Sequence, residues 1–331
     1  MIWLAFALVA GITVAAGTVL ARTGDILAEK TKMGRTWTGL ILVAATTSLP
    51  ELFTGASAAV QDLPDLALGD VLGSSMFNLL ILSMLDMLGG RVPLSARANQ
   101  GHALTIGLGM LLVGVVGLGL LAPLPSVGWI GAMTPVILGI YLLAARLIFL
   151  FERRRQTQQA SRLAAELRYA HVPLASAVRR YALAAAVVIA AAVTLPGIGE
   201  QLARDTGLGQ ALVGNLLIAI TTSLPEVAVS LAAVRLGALD LAIGNILGSN
   251  LFNMLIVAVD DVFLTSGPLL SSVTGSSHLV SVLAVLIMNA LLLIGLTYHA
   301  LKKQLVVAWD TAGIALTYLV AVALIFALRG G

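Results

Sequence analysis

The sequence predicts an all-α membrane protein: ten transmembrane helices in two inverted-topology five-helix repeats, with broken helices at the membrane midplane. Three observations predict it. Hydrophobic residues make up 59% of the 331-residue chain and charged residues 11%, far from the balance of soluble domains. Ala-Ala-Thr-Thr-Ser-Leu-Pro-Glu, ending at Glu51, returns as Ala-Ile-Thr-Thr-Ser-Leu-Pro-Glu, ending at Glu226. Leu-Gly-Ser-Ser-Met-Phe-Asn, ending at Asn78, returns as Leu-Gly-Ser-Asn-Leu-Phe-Asn, ending at Asn253, with the same 175-residue offset. Finally, the basic residues sort onto alternate connections.

Apolar runs long enough to cross a bilayer place spans at roughly 2–21, 36–60, 66–88, 102–122, 127–150, 181–199, 208–234, 240–264, 279–298 and 305–328. The first has no basic stretch before it and no small-residue cleavage site after it, so it reads as a retained span. The longest connection, Arg-rich 151–180, falls midway between the repeats. It reads as a linker joining a first half, 1–150, to a second, 181–331. With loops assigned to alternate sides, all of the 19 basic residues except Arg204 and Arg329 fall on one side. The positive-inside rule makes that side cytoplasmic, with both termini outside. The same sorting accounts for the arginine cluster without nucleic acid. Five spans per repeat is an odd number, so the second copy enters the membrane upside down, and a site at the repeat interface is expected. Trp3, Trp37, Trp129 and Trp309 fall near span ends, as an interfacial belt requires.

With no cysteine in the chain, disulfides and thiol-ligated metals are excluded, and no cofactor is expected. What the repeats carry is oxygen. Thr47 and Glu51 share a helix face, as do Ser74 and Asn78, Thr222 and Glu226, and Ser249 and Asn253, each pair four apart. Hydroxyls, amide carbonyls and carboxylates are hard ligands, suited to sodium or calcium. Pro50 and Pro225 each remove a helical N–H and leave the carbonyls near Thr46 and Thr221 without helical partners; at membrane depth a desolvated cation can replace them. The pair Gly69 and Gly73, repeated at Gly244 and Gly248, permits close helix approach, expected to bring Ser74 and Asn78 against Glu51, and their counterparts Ser249 and Asn253 against Glu226. Glu51 and Glu226 have no basic residue in a neighbouring span. A buried carboxylate costs about 3 kcal/mol on insertion scales, so a companion cation is needed. Ser-Leu-Pro-Glu also reads as a helix start, a cap followed by proline and an acid in the first turn; its recurrence at the same depth favours the ion-site reading without displacing the local one. Asp86 and Asp261, with Asp260 beside the latter, lie two turns past the asparagines and read as solvated acids near span ends, and the four histidines as interfacial residues.

The two segments resemble the alpha repeats of the sodium/calcium exchanger family, within the calcium:cation antiporter superfamily. The resemblance implies ion ligands at Ala44, Thr47, Ser48, Glu51, Ser74 and Asn78, and at Ala219, Thr222, Ser223, Glu226, Ser249 and Asn253. The alanines would act through main-chain carbonyls and the two glutamates as the charged ligands. It further implies alternating access in a prokaryotic plasma membrane, sodium and calcium competing for one site. Thr46 and Thr221 replace glycines common in that family, Asn253 a frequent Asp, and Asp70 a more usual Asn, so Thr46, Asp70 and Thr221 are auxiliary candidates. Protons, potassium or another divalent ion in the same fold form the alternative coupling. An intramembrane protease would need paired mid-span aspartates or a serine near a buried histidine, and a passive channel would conduct without a counter-ion.

Overall fold

The computed structural model describes residues 1–30, 44–88, 92–99, 101–122, 125–159, 172–235, 238–274, 276–298, 303 and 308–328. The chain is helical almost throughout: α1 (Ile2–Lys30), α2 (Leu49–Val60, continuing a helical turn at 44–47), α3 (Pro64–Leu88), the short α4 (Leu94–Arg97), α5 (His102–Leu121), α6 (Met133–Gln159) and α7 (Leu174–Thr206). Then follow α8 (Gln210–Thr222), α9 (Leu224–Arg235), α10 (Leu239–Phe263), the short α11 (Leu269–Ser272), α12 (Ser277–Tyr298) and α13 (Trp309–Ala327). Among the described residues eight helices are long and apolar enough to cross a membrane, and α8 with α9 forms a ninth span bent by 44°. The expected ten are not reached there, because the span placed at 36–60 begins outside the described residues.

Several expected boundaries move for local reasons. The span expected at 127–150 starts only at Met133, because Ser126–Val127 and Ile130–Gly131 pair as a two-stranded ribbon around Gly128, whose φ is +65°. The span expected at 181–199 becomes the 33-residue α7. It starts after Pro173 and stops at Gly207, where φ is +67° and the N–H bonds the Ala203 carbonyl, a left-handed C-terminal stop. Hydropathy marked only its apolar centre. Helix α6 likewise runs to Gln159, into the segment read as a linker, of which 160–171 lies outside the described residues.

Helices α3 and α10, the carriers of the Gly-Ser motifs, form the centre. Over their apolar windows 89% and 72% of residues are buried, against 22% in α1 and α6. Helix α1 instead exposes Trp3, Leu4 and Leu8, and α13 exposes Leu316, Leu319 and Leu324. Such continuous apolar surface is what lipid contact requires. At the centre, α3 lies backbone to backbone on α8. A Cβ at Gly73 would stand 2.3 Å from the Asn215 carbonyl oxygen, and one at Gly214 2.9 Å from the Leu66 carbonyl oxygen. Residues Val213–Ile218 of α8 form a π-helix, a widened turn frequent at functional sites, here seated on α3.

The connections meet in two sets. Asp65 accepts from the Thr274 N–H and hydroxyl and pairs with His278, while Trp129 donates to the Val262 carbonyl and Ser266 to Asp62. Elsewhere Asp240 accepts from the Asn99 N–H and pairs with His102, and Asp86 reaches residues 94, 303, 308 and 311. The 175-residue shift carries Asp65 to Asp240 and Asn99 to Thr274, so the two clasps are equivalents.

Two sequence readings are corrected here. His278 is buried at 1% exposure, its Nε2 being 2.8 Å from Asp65 Oδ1. Asp86 and Asp261 are not solvated: each carboxylate is buried and folded back onto the short helix after it. Asp86 accepts from the N–H of Leu94 (2.7 Å) and Ala308 (2.9 Å) and from Thr311, and pairs with Lys303 at 3.0 Å. Asp261 accepts from the N–H of Leu269 (2.6 Å) and Gly131 (2.8 Å) and from Thr134. Proximity to a span end had pointed to solvent, but each acid binds N–H groups of the chain that turns back over it. Asp86→Asn strands the buried Lys303 ammonium, which costs about 3–5 kcal/mol. Asp261→Asn loses only bonds from neutral donors, about 1–3 kcal/mol. Thermal unfolding in detergent should therefore show the larger loss for Asp86→Asn.

Candidate cation site

Both Ser-Leu-Pro-Glu segments lie at breaks in helices. Pro50 and Pro225 lack the N–H that would continue the ladder, so the turns at 44–47 and Ala219–Thr222 end at Ser48 and Ser223. New helices start at Leu49 and Leu224. The last backbone bonds run from the Ser48 N–H to the Ala44 carbonyl (3.0 Å) and from the Ser223 N–H to the Ala219 carbonyl (3.1 Å). Each glutamate thereby sits in the first turn of a new helix, where the exposed N–H groups favour negative charge. The cap reading is only half met, since Ser48 makes no side-chain bond to the backbone of that turn.

The serine hydroxyls point across the repeat interface instead. Ser48 donates to Glu226 Oε1 (3.2 Å) and Ser223 to Glu51 Oε1 (2.9 Å). Thr47 Oγ1 lies 3.3 Å from Ser249 Oγ, and Thr222 Oγ1 3.3 Å from Ser74 Oγ. Replacing each residue by its counterpart 175 positions away turns Ser48–Glu226 into Ser223–Glu51 and Thr47–Ser249 into Thr222–Ser74, so the motifs are exchanged in space as in sequence. Ser249 also donates to Glu226 Oε1 (3.2 Å) and Ser74 to the Ala219 carbonyl (3.4 Å). Glu51, Glu226, Ser48, Ser223, Thr47, Thr222, Ser74, Ser249, Asn78 and Asn253 are all at most 1% exposed, and Ala44 and Ala219 at most 2%.

Three expectations change. Ser74 does not reach Glu51; the close approach at Gly73 delivers it to α8 of the other repeat. Asn78 and Asn253 do not bond the glutamates either. Asn78 Nδ2 donates to Asn250 Oδ1 (3.0 Å) and Asn253 Nδ2 to Ser75 Oγ (3.2 Å), tying α3 to α10 and leaving each Oδ1 without a partner. Ser75 and Asn250 went unnoticed because they differ between the copies. Their equal position in the two Gly-Ser motifs, 175 apart, was the available signal. Of the auxiliary candidates, Asp70 joins the cluster, accepting from Thr222 Oγ1 at 3.0 Å. Thr46 faces away, 3.3 Å from the Tyr181 hydroxyl, and Thr221 donates to the Leu217 carbonyl of its own helix.

Glu51 Oε2, Glu226 Oε2, Asp70 Oδ2, Asn78 Oδ1 and Asn253 Oδ1 are buried acceptors with no hydrogen-bond partner among the described residues. Nor is any lysine, arginine or histidine paired with these acids there. No group of three or more His, Cys, Asp or Glu side chains with metal-site geometry occurs among the described residues. The donor set is two facing carboxylates among hydroxyls and carbonyls, hard and of low charge, which fits alkali and alkaline-earth ions rather than zinc or copper.

A family model described as sodium/calcium exchanger protein matches residues 1–151 and 180–327. The chain belongs to the sodium/calcium exchanger family. The two matched segments omit the middle of the 151–180 connection. Among relatives of this exchanger-family chain, a protein named as an antiporter, CaxA of Alkalimonas amylolytica, is 31% identical over 268 residues, 80% of each chain. Inner membrane protein YrbG of Escherichia coli is 29% identical over 245 residues, 69% of each. The fold is shared with an H+/Ca2+ exchanger, CAX, at a TM-score of 0.73 and 15% identity, covering 98% of this chain and 85% of that one. It is also shared with the sodium-calcium exchanger NCX_Mj, at 0.63 and 20%, covering 98% and 99%. The chain is thus a multi-pass membrane protein of a family of calcium/cation exchangers.

Proposed function

We propose that the chain exchanges sodium for calcium by alternating access, with one calcium ion or several sodium ions competing for the cluster around Glu51 and Glu226. The carrying observation is that each glutamate takes a hydroxyl hydrogen bond on Oε1 from the opposite repeat, while its buried Oε2 has no hydrogen-bond partner and no counter-charge among the described residues. Two carboxylates supply two negative charges, which one calcium ion or several sodium ions can neutralise. The ligand set is Thr47, Ser48, Glu51, Ser74 and Asn78 with Thr222, Ser223, Glu226, Ser249 and Asn253, assisted by the Ala44 and Ala219 carbonyls. The exchange of hydrogen bonds under the 175-residue shift, and the gathering of connections into two sets, support two halves of inverted topology around this site. The basic side faces the cytoplasm of a prokaryotic plasma membrane in this reading, and both termini lie outside.

A second reading, proton coupling, is favoured by one observation: Asp70 adds a third carboxylate beside Thr222 where the sequence otherwise offers asparagine, as at Asn245 in the other repeat. Radioactive calcium uptake into sodium-loaded proteoliposomes diluted into sodium-free buffer, with a proton ionophore present, separates the two. Sodium exchange gives uptake that collapses when sodium is equal on both sides. Uptake only after the ionophore is omitted and a pH gradient imposed would move the coupling to protons.

A further inference from the structure

The central cluster does not account for every acid inside the membrane. Asp260 lies on α10 seven residues beyond Asn253, about 10 Å further along the helix axis, and is fully buried. Its neighbour Asp261 is saturated by two backbone N–H groups and Thr134. Both oxygens of Asp260, by contrast, lack any hydrogen-bond partner among the described residues. It is therefore no clamp of the kind Asp86 and Asp261 make.

The carboxylate has a shaped seat. It lies against Gly55, one turn beyond Glu51 on α2; a Cβ there would stand 2.5 Å from Oδ2 and 2.7 Å from Oδ1. The preceding residue, Thr54, is fully buried and its hydroxyl also has no partner among the described residues. The other repeat builds the equivalent place differently. Gly55, Thr54, Asp70 and Asp260 correspond to Ser230, Val229, Asn245 and Leu85. There Asn245 donates to Ser230 at 3.2 Å and Leu85 is buried apolar packing, so no charge remains. One side of the central site thus carries an unpartnered acid where the other carries the neutral Asn245–Ser230 pair. An unpartnered carboxylate at membrane depth is costly and marks a functional position.

We propose that Asp260, seated against Gly55, holds one alkali cation in a station outside the central cluster, on the side where α2 ends and α10 ends, with no equivalent acid at position 85 of the other repeat. Asp260 brings one formal charge of its own, and Asp261 beside it is already held by two N–H groups and Thr134, which matches a monovalent rather than a divalent ion. Its role in transport, as a waypoint for sodium on one side only, rests on the sodium-exchange reading above; binding at the station does not.

Equilibrium binding of radioactive sodium to the full chain in lipid nanodiscs tests it, in a Glu51→Gln/Asp70→Asn/Glu226→Gln background that removes the three carboxylates of the central cluster. One sodium ion per chain is expected to remain bound, with affinity falling at least tenfold when Asp260→Asn is added. Gly55→Ala, which keeps the acid but fills its seat, should give a similar loss, and it carries the test if Asp260→Asn does not yield monodisperse protein. No sodium bound in the background variant, or sodium bound equally well after both additions, overturns the station. Failure of the sodium-exchange reading shows instead in the flux assay on the unaltered chain, so the two outcomes stay separate.

Discussion

Glu51→Gln and Glu226→Gln should each lower calcium flux in proteoliposomes by at least about a hundredfold while leaving the unfolding temperature close to that of the unaltered chain. Each substitution keeps the side-chain volume and an acceptor oxygen for the serine that reaches it, Ser223 for Glu51 and Ser48 for Glu226. What it removes is one of the two charges offered to the ion. A hundredfold loss of affinity is about 2.8 kcal/mol, just under the roughly 3–5 kcal/mol for stripping a buried charge of its counter-charge, so a hundredfold is the lower bound. Stability should hold because neither acid is held by a cationic side chain among the described residues. The serines supply the contrast. Ser48→Ala and Ser223→Ala each remove one hydroxyl donor and leave both charges, so a loss of about tenfold is expected, near the 1.5 kcal/mol typical of a bond to a charged group. The double Gln variant should be no worse than the more damaged single variant, because ligands acting on one ion are not additive. Normal calcium exchange by both single Gln variants would remove these acids from the ion site.

Much of this arrangement was legible in the sequence because repetition and burial leave simple marks. A polar octapeptide recurring inside apolar spans fixed the two breaks, and the four-residue spacings fixed which oxygens share a face. What spacing within one helix cannot encode is the partner across the interface. Ser74 was expected at Glu51 and is found at Thr222 and Ala219, because the contact is set by how Gly73 seats on α8. Asn78 and Asn253 read as ligands through their amide carbonyls, on the same faces as Ser74 and Ser249. Their Nδ2 groups are committed to Asn250 and Ser75, so only Oδ1 is free. Hydropathy also misjudged acids near span ends: Asp86, Asp260 and Asp261 are buried, two by clamping backbone N–H groups and one with no described partner at all. Residue type and depth locate such an acid; only the fold of the returning chain says what it holds.

Gly73→Ala should damage exchange by at least tenfold through backbone displacement, with every ion ligand still present. The added methyl would meet Asn215 at 2.3 Å from its carbonyl oxygen, 2.5 Å from its Cα and 2.7 Å from its carbonyl carbon. All three are backbone atoms of the π-helical turn, so no rotamer change relieves the clash, and α3 must move away from α8. Ser74 is the next residue. Its contacts to the Ala219 carbonyl and to Thr222 stand at 3.4 and 3.3 Å, already near the limit of a hydrogen bond, so a shift of a few tenths of an ångström breaks them. Overpacking of this kind costs about 1–3 kcal/mol of stability, visible as a lower unfolding temperature. Gly69→Ala should be milder, since its methyl would stand 3.1 Å from the Ala211 carbonyl oxygen. Gly107→Ala and Gly109→Ala, on α5 with nothing within 4 Å of either added Cβ, should leave flux unchanged and gain slightly in stability, as Ala exceeds Gly in helix propensity by about 1 kcal/mol. An order of effect from Gly73 through Gly69 to Gly107 would locate the sensitivity at the contact between the repeats. Equal effects along that series would mean that glycine serves flexibility rather than close approach, and that Ser74 is not positioned by this contact.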